Sequence, residues 1–361
     1  MTAYADALRY LYGLEPRGIR LELDRVREAL ALRGGPHRGL RVVHVAGTNG
    51  KGSVAALVES SLRRAGVRTG LYTSPHLHRF TERIRVGGRA VAERDVVRLV
   101  ASIRETLARP GAPELTFFET ATLMAFEVFR ERACDLVVLE VGLGGRLDAT
   151  NVIDDPELCI ITRLALEHTD RLGDTLEAIA REKAGILKPG APAVVGVREP
   201  EARAVIAARA REVGAPVRWI DDDFGHAPGA RAVRVWVGDR WLEGLRVPLP
   251  GRHQRDNVAL AVAALDALAE RGWALDEDAI REGVARARWP GRMERLGGAP
   301  PVLLDAAHNA DGCEALAAHL DTLPRGRRVL VFGAMENKDH ERMLAAFDGR
   351  VDRRILTAPT R

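Results

Sequence analysis

The chain has 361 residues, too many for one ordinary core and suited to two domains, or to one large domain with a smaller one. An apolar fraction of 46% with charges of both signs describes a soluble globular protein, and neither an apolar run of 18 residues nor a signal-peptide pattern points to a membrane or to export. The net charge of +4 is carried by scattered arginines without aromatic interleaving, which argues against a nucleic-acid surface and suits anionic small-molecule substrates.

Short β-branched runs alternate with longer helical patterns. "RVVHVA" (41–46) reads as a strand, and the segment after it places Val54, Leu57, Val58 and Leu62 at helical spacing before Gly66. "RTGLYT" (68–73) is a second strand. "FFETATLMAFEVFRER" (117–132) is a buried helix that feeds the strand "DLVVLEVG" (135–142), and "LCIITRL" (158–164) and "APAVVGV" (191–197) are two more strands. This alternation predicts an α/β fold, a large doubly wound and mostly parallel sheet. "VRVWVGDRWLEGLRVPLPG" (233–251) reads as a hairpin with a Gly-Asp turn, a small β insertion, and "NVALAVAALDALAERG" as a long helix. The Pro/Gly-rich stretch "WPGRMERLGGAPP" (289–301) is the one candidate joint, so the expected domains are 1–290 and a smaller C-terminal α/β unit, 291–361. Cys134, Cys159 and Cys313 lie far apart without metal-ligand spacing and are expected to be free thiols in a cytoplasmic protein.

Ligands of an open α/β sheet sit beyond the carboxyl ends of its strands. Those ends here carry "GTNGKGS", "SPH", "EVGLGG" and "LALEHTD", which together offer backbone amides, a lysine, hydroxyls, a carboxylate and an imidazole. Such a set can hold a polyphosphate with magnesium. The first of these loops departs from the usual P-loop pattern: Val45 replaces the first glycine and Gly52 separates Lys51 from Ser53. Its glycines still permit close backbone approach, and the following helix offers its first amides to anionic oxygens. Glu140 ends an apolar strand and calls for a cation, either a magnesium ion or a salt-bridge partner at the sheet rim. "GLGGRL" (142–147) lacks the sixth-position glycine and "RLDATN" is a poor helix start, so a dinucleotide cofactor is not expected. Lysine occurs only at 51, 183, 188 and 338 against abundant arginine, which singles out Lys51 and Lys183 as places where a primary amine is needed.

Taken in order, "VAGTNGKGSV", "YTSPHLHRFTERIRV", "FFET", "LEVGLGGRLDATN", "LEHTDRLGDTLEAIAREKAGI", "PGR" and "DAAHN" resemble the bacterial dihydrofolate synthase/folylpolyglutamate synthases of the Mur ligase superfamily. The resemblance runs from about residue 15 to the end. It implies an ATP-dependent ligase with magnesium, two ions, as cofactor. Asn49, Gly50, Lys51, Gly52 and Ser53 would cradle ATP, with further contacts from Asn257, Arg292 and Asp305 and with His308 beside them. Ser74, Glu140 and His168 match the family's magnesium ligands, and Lys183 matches a lysine carried as a carbamate. Ile19, Arg20 and Leu21, Thr116, Phe117, Phe118 and Glu119, and Leu147, Asp148 and Ala149 match contacts to the pterin, with Phe118 as a wall of its slot. Lys51, Lys183 and His168 would be the catalytic set.

The implied substrates are dihydropteroate, tetrahydrofolate, L-glutamate and ATP, and the implied state is a monomer. Family members usually continue for roughly fifty further residues, so a shortened C-terminal domain is expected. Two rival readings fit the sequence less well. A ligase of cell-wall precursors is disfavoured by "SPHLHRFTERIRV", and a P-loop kinase or nucleotide-binding regulator would need neither "REKAGI" nor nucleotide contacts from a second domain.

Overall fold

The computed structural model describes residues 2–18, 20–228 and 232–358. Its centre is an eight-stranded sheet of β1 (Val42–Ala46), β2 (Thr69–Tyr72), β3 (Ile84–Val86), β4 (Arg89–Ala90), β5 (Leu136–Glu140), β6 (Leu158–Ile161), β7 (Ala193–Val195) and β8 (Val217–Trp219), in the order β4-β3-β2-β5-β1-β6-β7-β8. The pairs from β2 to β8 are parallel, and β3 and β4 add an antiparallel edge. β1 and β5 are buried along their whole length because helices cover both faces, which explains their near-continuous apolar sequence.

Alternate residues supply opposite cores. Val43 and Val45 of β1 point into a cluster with the helices Lys51–Arg64, His253–Glu270 and Glu277–Arg286, while Val42 and Ala46 point to the other face. Chain direction across the sheet reverses around β1, with β5 on one side and β6 on the other. The carboxyl end of β1 is therefore the switch-point crevice.

The β insertion has three strands, β9 (Phe224–Pro228), β10 (Val233–Val237) and β11 (Arg240–Leu245), where the sequence shows only the hairpin of the last two. The expected joint at 289–301 holds a strand, β12 (Glu294–Leu296), paired with β13 (Val302–Leu304). β14 (Val329–Gly333) and β15 (Arg353–Thr357) form a parallel pair, and Cys313, Ala317, Met343 and Phe347 make a small separate core beneath it. All three cysteines are free. Among the described residues, no helix is long and apolar enough to cross a membrane.

Candidate functional site

β1 ends at Ala46, and the loop 47–50 turns directly into the helix Lys51–Arg64. Gly50 occupies the N-cap with φ of 92°, and a Cβ there would lie 2.6 Å from Oδ1 of Asn257. Glycine is required on both counts. No side chain caps this helix, so its first amides remain available to an anion. The Lys51 ammonium lies back over the loop, donating to the carbonyls of Gly47 and Thr48 at 3.0 Å each. Ser53 is buried, and Gln254 links it to Asn257 through contacts of 3.5 and 2.8 Å.

Glu140 closes β5 and is 4% exposed. Its carboxylate accepts the backbone N–H of Ser74 at 3.2 Å, and burial raises its pKa against the opposing charge of Lys51. His168 sits in a left-handed conformation at the carboxyl side of β6, and burial lowers its pKa, which favours the neutral imidazole with a lone pair for a ligand. Among the described residues no group of three or more His, Cys, Asp or Glu could hold a metal ion. The carboxylate and the hydroxyl are hard oxygen donors of the kind magnesium takes, with the imidazole as a less usual third ligand and phosphate oxygens and water for the remainder of the shell.

Lys183, from the helix Leu176–Ala184, is 4% exposed and donates to Gly47 O at 2.8 Å. Burial, reinforced by the charge of Lys51, brings its pKa down to about 7. From the C-terminal unit, Asp305 accepts the N–H groups of Met293 and Ala307 at 2.8 Å each, fixing the turn that carries Arg292. The His308 ring faces Ala306 O through Nδ1 at 3.0 Å and Glu167 through Nε2 at 3.0 Å.

Asn49 to Ser53, Ser74, Glu140, His168, Lys183, Asn257, Arg292, Asp305 and His308 all line one cavity of ≈ 230 Å³, between the P-loop and the C-terminal unit. Sequence reasoning missed several of its other walls. Arg163 pairs with Asp311 at 2.6 Å, and Glu167 with Lys338 at 2.9 Å, each across the two units. Arg198 binds both Asp221 and Asp256, at 2.6 and 2.9 Å. Each partner comes from a distant segment, and only Lys338 carried a signal, as one of four lysines.

Of the residues matched to the pterin, the described ones do not line this cavity. Ile19 lies outside the described residues. Arg20 is exposed and Leu21 half-buried. Thr116 and Glu119 form a capping box for the helix Phe117–Glu131, and Glu119 also takes Arg25 at 3.1 Å, so both side chains are engaged with protein. Asp148 is buried and accepts from the backbone of Gly142, Leu143 and Thr150 and from the Thr150 hydroxyl. It thereby caps a single helical turn, Ala149–Val152, where the sequence reads as a poor helix start. Leu147, Ala149, Phe117 and Phe118 pack on one core cluster, and Phe118 lies against Gly142, where a Cβ would meet the ring at 2.5 Å. The two sets of residues therefore adjoin at the loop after Glu140.

Comparison with known proteins identifies the family. The Mur ligase middle domain matches residues 45–265, and the Mur ligase glutamate ligase domain matches residues 291–361. The dihydrofolate synthase/folylpolyglutamate synthase of Bacillus subtilis is 38% identical over 354 residues, spanning 95% of this chain and 82% of that protein. Its Escherichia coli counterpart is 40% identical over 349 residues, spanning 96% and 80%. The structure of E. coli FolC with DHPP and ADP superposes with a TM-score of 0.89 at 39% identity, covering 98% of this chain and 83% of that one. An FPGS–AMPPCP–folate complex gives 0.90 at 34% identity, covering 97% and 88%. The chain belongs to the dihydrofolate synthase/folylpolyglutamate synthase family of ATP-dependent Mur ligases.

Proposed function

We propose that this protein joins L-glutamate to dihydropteroate and extends the glutamate chain of tetrahydrofolate, using ATP and passing through an acyl phosphate. The observation that carries the reading is the convergence of P-loop amides, Lys51, Glu140, His168 and Lys183 with Arg292, Asp305 and His308 on a single cavity. A carboxylate at neutral pH is a poor electrophile, and ATP supplies the remedy. An acceptor carboxylate oxygen bonds to the γ-phosphorus while the β–γ bridging bond breaks and ADP departs. The glutamate amine then attacks the acyl carbon, loses a proton, and expels inorganic phosphate.

The residues act mainly by neutralising and positioning. The free amides of the helix Lys51–Arg64 bind phosphate oxygens, and Lys51 exchanges its two loop carbonyls for the β- and γ-phosphates. Ser74, Glu140 and His168 would hold magnesium, which supplies charge neutralisation on the transferring phosphoryl group. Lys183 is the candidate carbamate: its neutral amine can take up carbon dioxide, and the resulting anion can orient the metal's water shell. Phe117, Phe118, Leu147 and Ala149 offer the apolar surface for a pterin or benzoyl ring.

The test is ATP turnover with each acceptor in turn. ADP and phosphate should form only when glutamate and a pteroate acceptor are both present, and glutamate should be added to dihydropteroate as well as to tetrahydrofolate. Turnover independent of glutamate would overturn the ligase reading, and extension of tetrahydrofolate alone would restrict it to chain extension.

A further inference from the structure

Arg83, at the end of the turn Phe80–Arg83, is 7% exposed, yet among the described residues no carboxylate lies within ion-pair distance of its guanidinium. That departs from this protein's own habit. Arg25 and Arg33 pack on the same side of the sheet and each meets a buried glutamate, Glu119 at 3.1 Å and Glu127 at 2.6 Å. A buried cation without a counter-charge is costly, and here burial pushes the Arg83 pKa down.

The surroundings of Arg83 are arranged for a ligand of particular shape. Its Nε donates to His76 Nδ1 at 2.8 Å, so the proton of that ring is on Nε2, which faces the Tyr12 hydroxyl at 3.3 Å. The guanidinium lies over the Phe117 ring at 5.0 Å, and Phe117 stacks on Tyr12 at 5.7 Å. The hydrogen bond from Nε fixes the plane of the fork and leaves the terminal nitrogens without a hydrogen-bond partner among the described residues. The Arg83 carbonyl accepts the N–H of Thr73 at 3.0 Å, and the next residue, Ser74, donates to Glu140. The Arg83 backbone therefore adjoins the wall of the cavity where the phosphoryl group would be held, and its guanidinium is near enough to Glu140 to feel that charge.

A planar fork beside aromatic walls fits a carboxylate carried on an aryl ring better than a phosphate or a free amino acid. We propose that Arg83 binds the reacting carboxylate of dihydropteroate, with the stacked pair of Phe117 and Tyr12 as one wall for the benzoyl ring that carries it. This rests on the ligase reading above. Arg83 then has two effects. It offsets repulsion between the acceptor carboxylate and the γ-phosphate, and it aligns an acceptor oxygen for attack on phosphorus.

The test is equilibrium binding of dihydropteroate and of its carboxamide to the wild type and to Arg83→Met, with ADP affinity measured on the same samples. Arg83→Met should lose roughly 10- to 100-fold in affinity for the carboxylate, as expected for a charge-assisted pair. Carboxamide and ADP affinities should stay within about twofold of wild type. If Arg83→Met fails to fold, Arg83→Lys carries the same comparison, keeping the charge but not the fork, with a smaller loss confined to the carboxylate. Equal losses for acid and amide would show a structural role and overturn the assignment, as would an unchanged affinity for the acid. Wild-type protein that binds ADP but neither dihydropteroate nor tetrahydrofolate would overturn the ligase reading together with this one.

Discussion

Asn49 and Asn309, 260 residues apart, exchange side-chain hydrogen bonds, with Nδ2 of each donating to Oδ1 of the other at 3.2 and 3.0 Å. Asn49 also donates to Asp311 at 2.8 Å, and Asp311 pairs with Arg163 just beyond β6. The nucleotide loop is thus held by the first turn of the helix Ala310–Leu320, whose N-cap is Asn309 itself. Asn309→Asp keeps the capping oxygen that accepts from Gly312, removes the donor to Asn49, and adds a carboxylate beside Asp311. The fold should survive while kcat/KM for ATP falls about 10-fold, the worth of one hydrogen bond replaced by repulsion. Steady-state kinetics with unaltered ATP parameters would show that this contact does not help to hold the nucleotide loop.

Glu140→Gln removes a buried charge but keeps its shape and the contact with the Ser74 N–H. Turnover should be lost at ordinary magnesium concentrations while the melting temperature stays at or above that of the wild type, since burial already disfavours the ionised form. Retained activity would reduce Glu140 to a partner of Lys51 at the sheet rim.

Glu167 gives a pH signature to the contact between the two units. Burial alone would raise its carboxyl pKa, but His308 and Lys338 outweigh burial and hold it well below the usual range. A depressed native pKa contributes stability above the unfolded value of 4.5, which is lost as pH falls towards the native one. Glu167→Gln should therefore melt below the wild type by a margin that is full at neutral pH and narrows progressively below pH 4.5. A constant margin across that range, in melting curves of both proteins, would rule out the ion pair as its source.

The parallel sheet was legible because its strands are buried on both faces and read as apolar runs, and the P-loop was legible because its chemistry is local to residues 47–53. "TFFE" also carried a readable signal: threonine followed three residues later by glutamate, before an apolar run, is a capping box, and both side chains serve that end. β3 and β4 were not visible as strands, being three and two residues long, with β4 exposed at both positions. Nothing in the sequence could pair Arg163 with Asp311 or Glu167 with Lys338, because those contacts depend on how two separately cored units meet. That no carboxylate among the described residues pairs with Arg83 is likewise a property of the fold alone.

The carbamate proposed at Lys183 draws its support from the state of the unmodified amine. Its amine is buried, 2.8 Å from the Gly47 carbonyl, and titrates near 7 because burial and Lys51 disfavour the cation. Carbon dioxide reacts with the neutral amine, releasing a proton and leaving an anionic carbamate. About half of this side chain is neutral at pH 7, against roughly one in a few thousand for an unperturbed lysine. Carbamylation, and the activity that depends on it, should therefore rise with pH through about 7. The unmodified protein gives a second sign. Its native pKa lies below the unfolded value of 10.5, so the unfolded chain binds more protons and stability should rise with pH between about 7 and 10.5. Lys183→Met should lose that slope. Lys183→Ala should be nearly inactive and regain part of its activity with short-chain carboxylates, whereas Lys183→Arg should stay inactive because guanidinium forms no carbamate. Carbon-13 NMR in labelled bicarbonate should show a carbamate resonance in the wild type that is missing from Lys183→Ala. Lys183→Arg with wild-type turnover, or an active wild type without that resonance, would remove the carbamate while leaving the phosphate-binding roles of Lys51 and the P-loop amides intact.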